Sequence, residues 1–203
     1  MHLIGVASQA QHGKDTLANY LAQALNKPVY YDKPGSKIHW KRDAFANNVK
    51  RIYCETFNKD MEFVEKWKVI PEVPPGMDMT VRRALQFIGD GFRQIQGDIW
   101  IDLMFRKDEP KIISDIRYIN ELKAIKNRGG FTILVARADK LNDDPNGSEA
   151  QIRPLVTYAL GMNPERPEAM DFVDAIVLNN GTVEELYAQG DNLIPQILNY
   201  FRL

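Results

Sequence analysis

Ser8-Gln9-Ala10-Gln11-His12-Gly13-Lys14-Asp15-Thr16 is the stretch that decides the reading of this chain. An apolar run, residues 2–7 (HLIGVA), precedes it and reads as a buried strand. Leu17, Leu21 and Leu25 follow it and line one face of a helix. A tight loop between a strand and a helix turns successive backbone N–H groups inward. The helix N-terminus adds partial positive charge, and the two together form an anion site. A lysine at the helix start then reaches the outer phosphates as a point charge. The general pattern is G-x-x-x-x-G-K-[ST]. Here Ser8 stands at the first glycine, Asp15 where a hydroxyl is usual, and Thr16 one position later. A chance Gly-Lys-Asp-Thr in a helix-opening turn is the competing reading, and the order strand, loop, helix weighs against it. Asp15 has three readings: a ligand for hydrated Mg²⁺, a partner for a substrate hydroxyl, or a favourable charge in the first helical turn. His12 reads as loop filler.

Outward from the loop, apolar strand-like runs alternate with helical patterns. Residues 28–31 read as a short strand after Pro28. Phe45, Val49, Ile52 and Phe57 fit one helix face, and residues 71–78 (PEVPPGMD) a loop. Residues 80–95 read as helix, with Val81, Leu85, Ile88 and Phe92 inward. Phe92, Phe105 and Trp67 are expected in the core. KIISDI (111–116), FTILVAR (131–137) and DAIVL (174–178) read as buried strands. A helix over about 119–128 stops at Gly129-Gly130. A C-terminal helical stretch follows the Asn180-Gly181 turn and is expected to break at Pro195. Such alternation implies a parallel sheet with helices on both faces.

Two further strand ends carry chemistry. Ile112-Ile113-Ser114-Asp115 ends in a carboxylate of the kind that holds Mg²⁺ or its waters beside a phosphate loop, and Arg117 follows. Ligands bind outside the carboxyl ends of parallel strands, where an arginine can clamp phosphate. The bland alternative is an Asp115–Arg117 pair that only fixes a turn. The polar segment 138–153 (ADKLNDDPNGSEAQIR) follows Arg137 and reads either as a surface loop or as a lid.

Composition sets the outer bounds. The chain has 203 residues, 44% of them hydrophobic, which suits one domain with a real core. Its 26 Lys+Arg against 27 Asp+Glu give a formal charge of −1, which argues against a dedicated nucleic-acid binder. The single cysteine, Cys54, permits no internal disulfide, so a reducing, cytoplasmic setting is expected. The N-terminal apolar run is too short for a signal peptide, and no stretch reaches the length of a membrane span.

Taken together, the motifs resemble one family, the phage-type deoxynucleoside monophosphate kinases. His12-Gly13-Lys14-Asp15-Thr16 is similar to that family's S-G-K-D-T, and the trailing threonine also resembles the G-K-G-T of adenylate-kinase-like loops. Ser114-Asp115-Ile116-Arg117-Tyr118-Ile119-Asn120-Glu121 is similar to S-D-V-R-F-x-N-E. Leu85-Gln86-Phe87-Ile88-Gly89 and Asp98-Ile99-Trp100 resemble L-Q-x-x-G and D-x-W. Phe45-Ala46 with Lys50 resembles F-A-x-x-x-K. Gly147-Ser148-Glu149 resembles an S-E pair near a lid, and Asn179-Asn180-Gly181-Thr182 an N-G-T turn. His12 departs from the family's serine. The resemblance implies a three-layer α/β/α P-loop kinase fold with a parallel sheet, a helical acceptor region over about 38–107 and a small lid over about 138–153. It implies ATP with Mg²⁺ as cofactors and a deoxynucleoside monophosphate as acceptor, with no nucleic-acid or membrane partner, and leaves a homodimer open. It suggests a phage or prophage source. On this reading Ala10, Gln11, His12, Gly13, Lys14, Asp15 and Thr16 hold the nucleotide, and Lys14, Arg117 and Arg137 are catalytic. Asp15 and Asp115 are the metal ligands, and Lys50, Arg82, Arg93, Trp100 and Asp115 bind the acceptor. Arg83 lies in the same acceptor segments. Solvated helix faces for these cations, and a core position for Trp100, are the plain alternatives. Two rivals remain: a phosphomevalonate kinase of the animal type, which shares a G-K-D loop, an S-D-x-R strand end and an N-x-G turn, and a nucleotide-binding module without turnover.

Overall fold

The computed structural model describes residues 2–30, 38–141 and 149–203. Five strands form one parallel sheet in the order β2-β3-β1-β4-β5: β1 (Leu3–Ala7), β2 (Lys41–Asp43), β3 (Lys111–Ile116), β4 (Phe131–Ala136) and β5 (Ala175–Leu178). The three central strands are the apolar runs of the sequence, and they are almost wholly buried. The edges differ: β2 is largely exposed and β5 half so.

Strand alternation sorts the helices. Ile4 and Val6 share a core with Leu17 and Leu21 of α1 (Lys14–Leu25) and with Leu193, Ile194 and Ile197 of a long C-terminal helix (Val183–Phe201). Gly5 points the other way. A Cβ there would lie 2.8 Å from Ile125 Cδ1, on the helix Ile119–Asn127. The sheet is thus covered on both faces, giving the expected three-layer α/β/α fold.

Residues 44–107 form a second compact unit, all helical: α2 (Phe45–Phe57), α3 (Met61–Trp67), α4 (Val81–Ile95) and α5 (Ile99–Met104). The first unit is completed by α6 (Ile119–Asn127), α7 (Arg153–Ala159) and α8 (Val183–Phe201). The second unit has its own core, with Tyr53, Val64, Val81 and Ala84 buried and Trp67, Leu85 and Ile88 packed on them. Asp60 and Thr80 cap α3 and α4, accepting from Phe63 N–H (2.7 Å) and Arg83 N–H (3.3 Å).

Four expectations change. Residues 28–30 are a 3₁₀ turn rather than a strand, and residue 31 lies outside the described residues. The second strand is instead Lys41-Arg42-Asp43, which has no apolar alternation to betray it because it is a short edge strand. The buried face of α4 runs through Val81, Ala84 and Gly89, while Phe92 is 37% exposed and leans on Trp100 at 5.6 Å between ring centroids. The C-terminal helix α8 runs through Pro195 unbroken. Its neighbours Leu193, Ile194 and Ile197 are buried, and that packing outweighs one missing backbone bond. The segment 138–153 lies partly outside the described residues. Within them, 138–140 form a 3₁₀ turn, and Glu149 leads through a turn into α7. Gly147 and Ser148 are outside. Among the described residues no helix is long and apolar enough to cross a membrane.

Candidate active site

Four of the five strands deliver polar groups to the carboxyl edge of the sheet, and the fifth, β1, delivers the loop 8–13. Gly13 closes that loop with φ 91°, a conformation that suits glycine. A Cβ there would lie 2.4 Å from Asn179 Nδ2, so no other residue fits without moving Asn179. α1 starts at the next residue, and Leu17 N–H donates to Gly13 O at 3.0 Å. Lys14, the first helical residue, is 7% exposed. The strand–loop–helix context that the sequence demanded is therefore present.

Two clamps fix the loop. Asn179, at the end of β5, donates from Nδ2 to His12 O at 2.9 Å and is 5% exposed. Its neighbour Asn180 accepts Ala138 N–H at 3.0 Å. The turn that positions both asparagines is locked by the start of α8: Thr182 N–H donates to Glu185 Oε2 at 2.8 Å, and Glu185 N–H to Thr182 Oγ1 at 3.2 Å. The second clamp is the His12 ring. Its Nδ1 accepts Arg137 N–H at 3.0 Å, and its Nε2 lies 3.0 Å from Lys140 O. An N–H facing Nδ1 and a carbonyl facing Nε2 require the neutral ring with the proton on Nε2. Burial pushes the His12 pKa below its ordinary value, and Lys14 adds to this against the opposing pull of the Lys140 carbonyl and Glu149. His12 is more than loop filler: it ties the loop to the end of β4.

A charge cluster sits beside Lys14. Asp15 Oδ2 lies 3.3 Å from Lys14 Nζ, and Oδ1 accepts the Ser114 hydroxyl at 3.0 Å and pairs with Arg42. Burial would raise the Asp15 pKa, but Lys14, the Ser114 hydroxyl and Arg42 together outweigh it, and the carboxyl ends below its ordinary value. Arg42 also donates to Ser114 Oγ from Nε and Nη2, both at 3.2 Å, and to Asn19 Oδ1 from Nη1 at 3.1 Å. Asn26 places it, bracketing the Trp40 backbone with two 2.9 Å bonds at the entry to β2. Sequence reasoning missed Arg42, whose one signal was a basic pair just ahead of the Phe45-Ala46 helix.

Asp115 is the penultimate residue of β3, where the pairing with β1 slips: Gly5 faces Ile113, but Ala7 faces Ile116. The extra residue is a bulge beside the loop. Arg117 follows, its backbone N–H and that of Tyr118 donating to buried Glu121 Oε2 at 3.0 and 3.2 Å. The Arg117 side chain reaches Glu149 Oε1 at 3.4 Å. Arg137 spends its guanidinium on Asp139, at 2.6 Å from Nε. Thr16 lies in the first turn of α1.

The remaining predicted residues lie in the second unit. Lys50 pairs with Glu65 at 2.7 Å, Arg82 donates to Lys68 O at 3.4 Å, and Arg93 lies 3.6 Å from Asp90. Arg83 sits over the Phe87 ring at 5.6 Å. Trp100 is 1% exposed and donates its indole N–H to Gly89 O at 3.0 Å, which favours the core reading over a base platform. Among the described residues no cluster of three His, Cys, Asp or Glu could hold a metal. Asp15 and Ser114 still form an oxygen-only pair, which suits Mg²⁺, an ion bound through one or two carboxylates plus substrate phosphates.

No family model matches the chain. It is 28% identical, over 209 aligned residues, to a protein of Acanthamoeba polyphaga mimivirus named "Putative deoxynucleotide monophosphate kinase", with 93% of this chain and 94% of that protein covered. The resemblance read from the motifs is thus found again along nearly the whole chain. Among solved structures it is similar to the shikimate kinase of Acinetobacter baumannii in complex with shikimate, at TM-score 0.50 and 10% identity, covering 98% of this chain and 93% of that one. It is also similar to the dephospho-CoA kinase of Campylobacter jejuni, at TM-score 0.44 and 14% identity, covering 97% and 96%. The likeness to the shikimate kinase is one of fold, a parallel sheet covered by helices on both faces.

Proposed function

We propose that this chain is an ATP-dependent kinase that transfers a phosphoryl group to a deoxynucleoside monophosphate. The observation that carries the proposal is the loop 8–13 closed by Gly13 onto Lys14, with Asp15, Ser114 and Arg42 gathered beside it. The named viral relative supports the acceptor class. In this reading the loop amides and Lys14 hold the outer phosphates of ATP. Asp15, with Asp115 next to its partner Ser114 on β3, would hold Mg²⁺, which would offset the charge of the donor phosphates.

The acceptor phosphate is already anionic, so no strong base is required, and catalysis is positioning plus charge neutralisation. Arg42 joins Arg117 and Arg137 as a candidate for the charge that develops on the transferring group. Its planar fork already makes directed hydrogen bonds to oxygen acceptors, and phosphate oxygens can take their place. Lys50, Arg82 and Arg93 are the proposed acceptor-side cations. Phe87 and Phe92, 58% and 37% exposed, are better placed than Trp100 to offer apolar surface to a deoxyribose. A 2′-hydroxyl buried against such a wall, unpaired, costs about 1–3 kcal/mol, or roughly tenfold to a hundredfold in discrimination.

An ADP-release screen with ATP, Mg²⁺ and matched deoxy and ribo monophosphates, with phosphomevalonate in parallel, tests the proposal. Preference for deoxy acceptors is expected. Equal deoxy and ribo rates would remove the 2′ argument and leave a nucleotide kinase. Turnover of phosphomevalonate alone would transfer the case to that rival, and silence with every acceptor would favour a binding module.

A further inference from the structure

We propose that the Glu149 carboxylate is the phosphate loop's own occupant, an internal anion that nucleotide phosphates must displace. The inference rests on the phosphate-loop reading above. Ala10 N–H, one of the loop amides, donates to Glu149 Oε2 at 2.8 Å. The other carboxylate oxygen, Oε1, lies 3.4 Å from Arg117 Nη1. One backbone amide and one guanidinium are the donor set that a phosphate would use at this place. Glu149 is 5% exposed, so it is no solvated surface charge that happens to pass by.

Its placement is built. Glu149 O accepts the N–H groups of Ile152 and Arg153 at 3.2 and 3.1 Å, which starts α7. Gln151 Oε1 accepts Ile119 N–H at 3.1 Å and pins the same turn to the start of α6. The carboxylate is therefore held beside the loop by backbone contacts that its own substitution leaves intact.

A single N–H cannot serve a carboxylate and a phosphate at once. Two anions side by side on the same donors repel each other. The phosphates of a bound nucleotide must therefore move the Glu149 side chain aside, and Arg117 is then released to them. Self-occupancy satisfies the loop in the absence of nucleotide and lowers apparent affinity by the cost of displacement.

Isothermal titration of wild type, Glu149→Gln and Glu149→Ala with ATP, ADP and adenosine tests this, with thermal melting to confirm folding. Glutamine keeps an acceptor for Ala10 N–H and loses the charge, and alanine loses both. Both variants should bind ATP tighter, on the order of tenfold for a charge-assisted contact no longer displaced. ADP should gain less, and adenosine nothing. Unchanged or weaker ATP binding in both variants would overturn the proposal, and so would an equal gain for adenosine. If neither wild type nor variants bound ATP at all, the phosphate-loop reading would fall as well. That failure is distinct from wild-type binding that the variants leave unaltered.

Discussion

Gly13→Ala perturbs the loop at its tightest point. The residue has φ 91° and ψ 8°, where an L side chain costs about 1–2 kcal/mol. The new Cβ would stand 2.4 Å from Asn179 Nδ2 and 3.3 Å from Leu186 Cδ2. Asn179 must then retreat and give up its bond to His12 O. A buried carbonyl left unpaired costs a further ~1–3 kcal/mol. The two terms give about 2–5 kcal/mol. For a chain of this size each kcal/mol lowers Tm by roughly 2–4 °C, so a drop of about 4–20 °C is expected in a thermal melt, together with weakened ATP binding. Asn179→Ala removes the clashing group and the hydrogen bond at once. The double variant should therefore lose less than the sum of the single losses. A Gly13→Ala protein that melts within about 1 °C of wild type and binds ATP normally would refute the account of the loop.

Other substitutions probe the rest of the site. Lys14→Ala should lower turnover by on the order of a thousandfold with the fold retained, measured as kcat alongside a thermal melt. Arg42→Lys should lower kcat by roughly tenfold, because an ammonium cannot serve Asp15, Ser114 and Asn19 at once. Unaltered kinetics would remove Arg42 from the mechanism. For His12 the folded pKa lies below the unfolded one, so the unfolded chain binds the proton more readily. The His12 contribution to stability is full above the ordinary histidine value and is lost as pH falls from there toward the lowered folded value. Denaturant melts across that window should show a steeper pH slope for wild type than for His12→Gln.

The sheet was legible because its three central strands are continuous apolar runs bounded by turns, and the loop because Gly13-Lys14 sits between a strand and a helix. β2 was not. Lys41-Arg42-Asp43 is largely exposed, pairs on one side only, and carries no hydrophobic period. Arg42 went unseen for the same reason, since its partners Asp15 and Ser114 lie 27 and 72 residues away in the chain. The Glu149–Ala10 bond spans 139 residues, and only the topology brings its ends together. Asn179 belongs to the turn Asn-Asn-Gly-Thr, yet nothing in that pattern says that one side chain reaches back to the His12 carbonyl. Pro195 was read by local rule, whereas the buried leucine and isoleucines around it keep the helix whole.

The most direct test of the central claim follows the phosphoryl group itself. ATP labelled on its γ-phosphate is incubated with the protein, Mg²⁺ and a deoxynucleoside monophosphate, and the products are separated. The account predicts label in the deoxynucleoside diphosphate, and its loss in Lys14→Ala. Label appearing only in inorganic phosphate, or remaining wholly in ATP with every deoxynucleoside monophosphate offered, would contradict it.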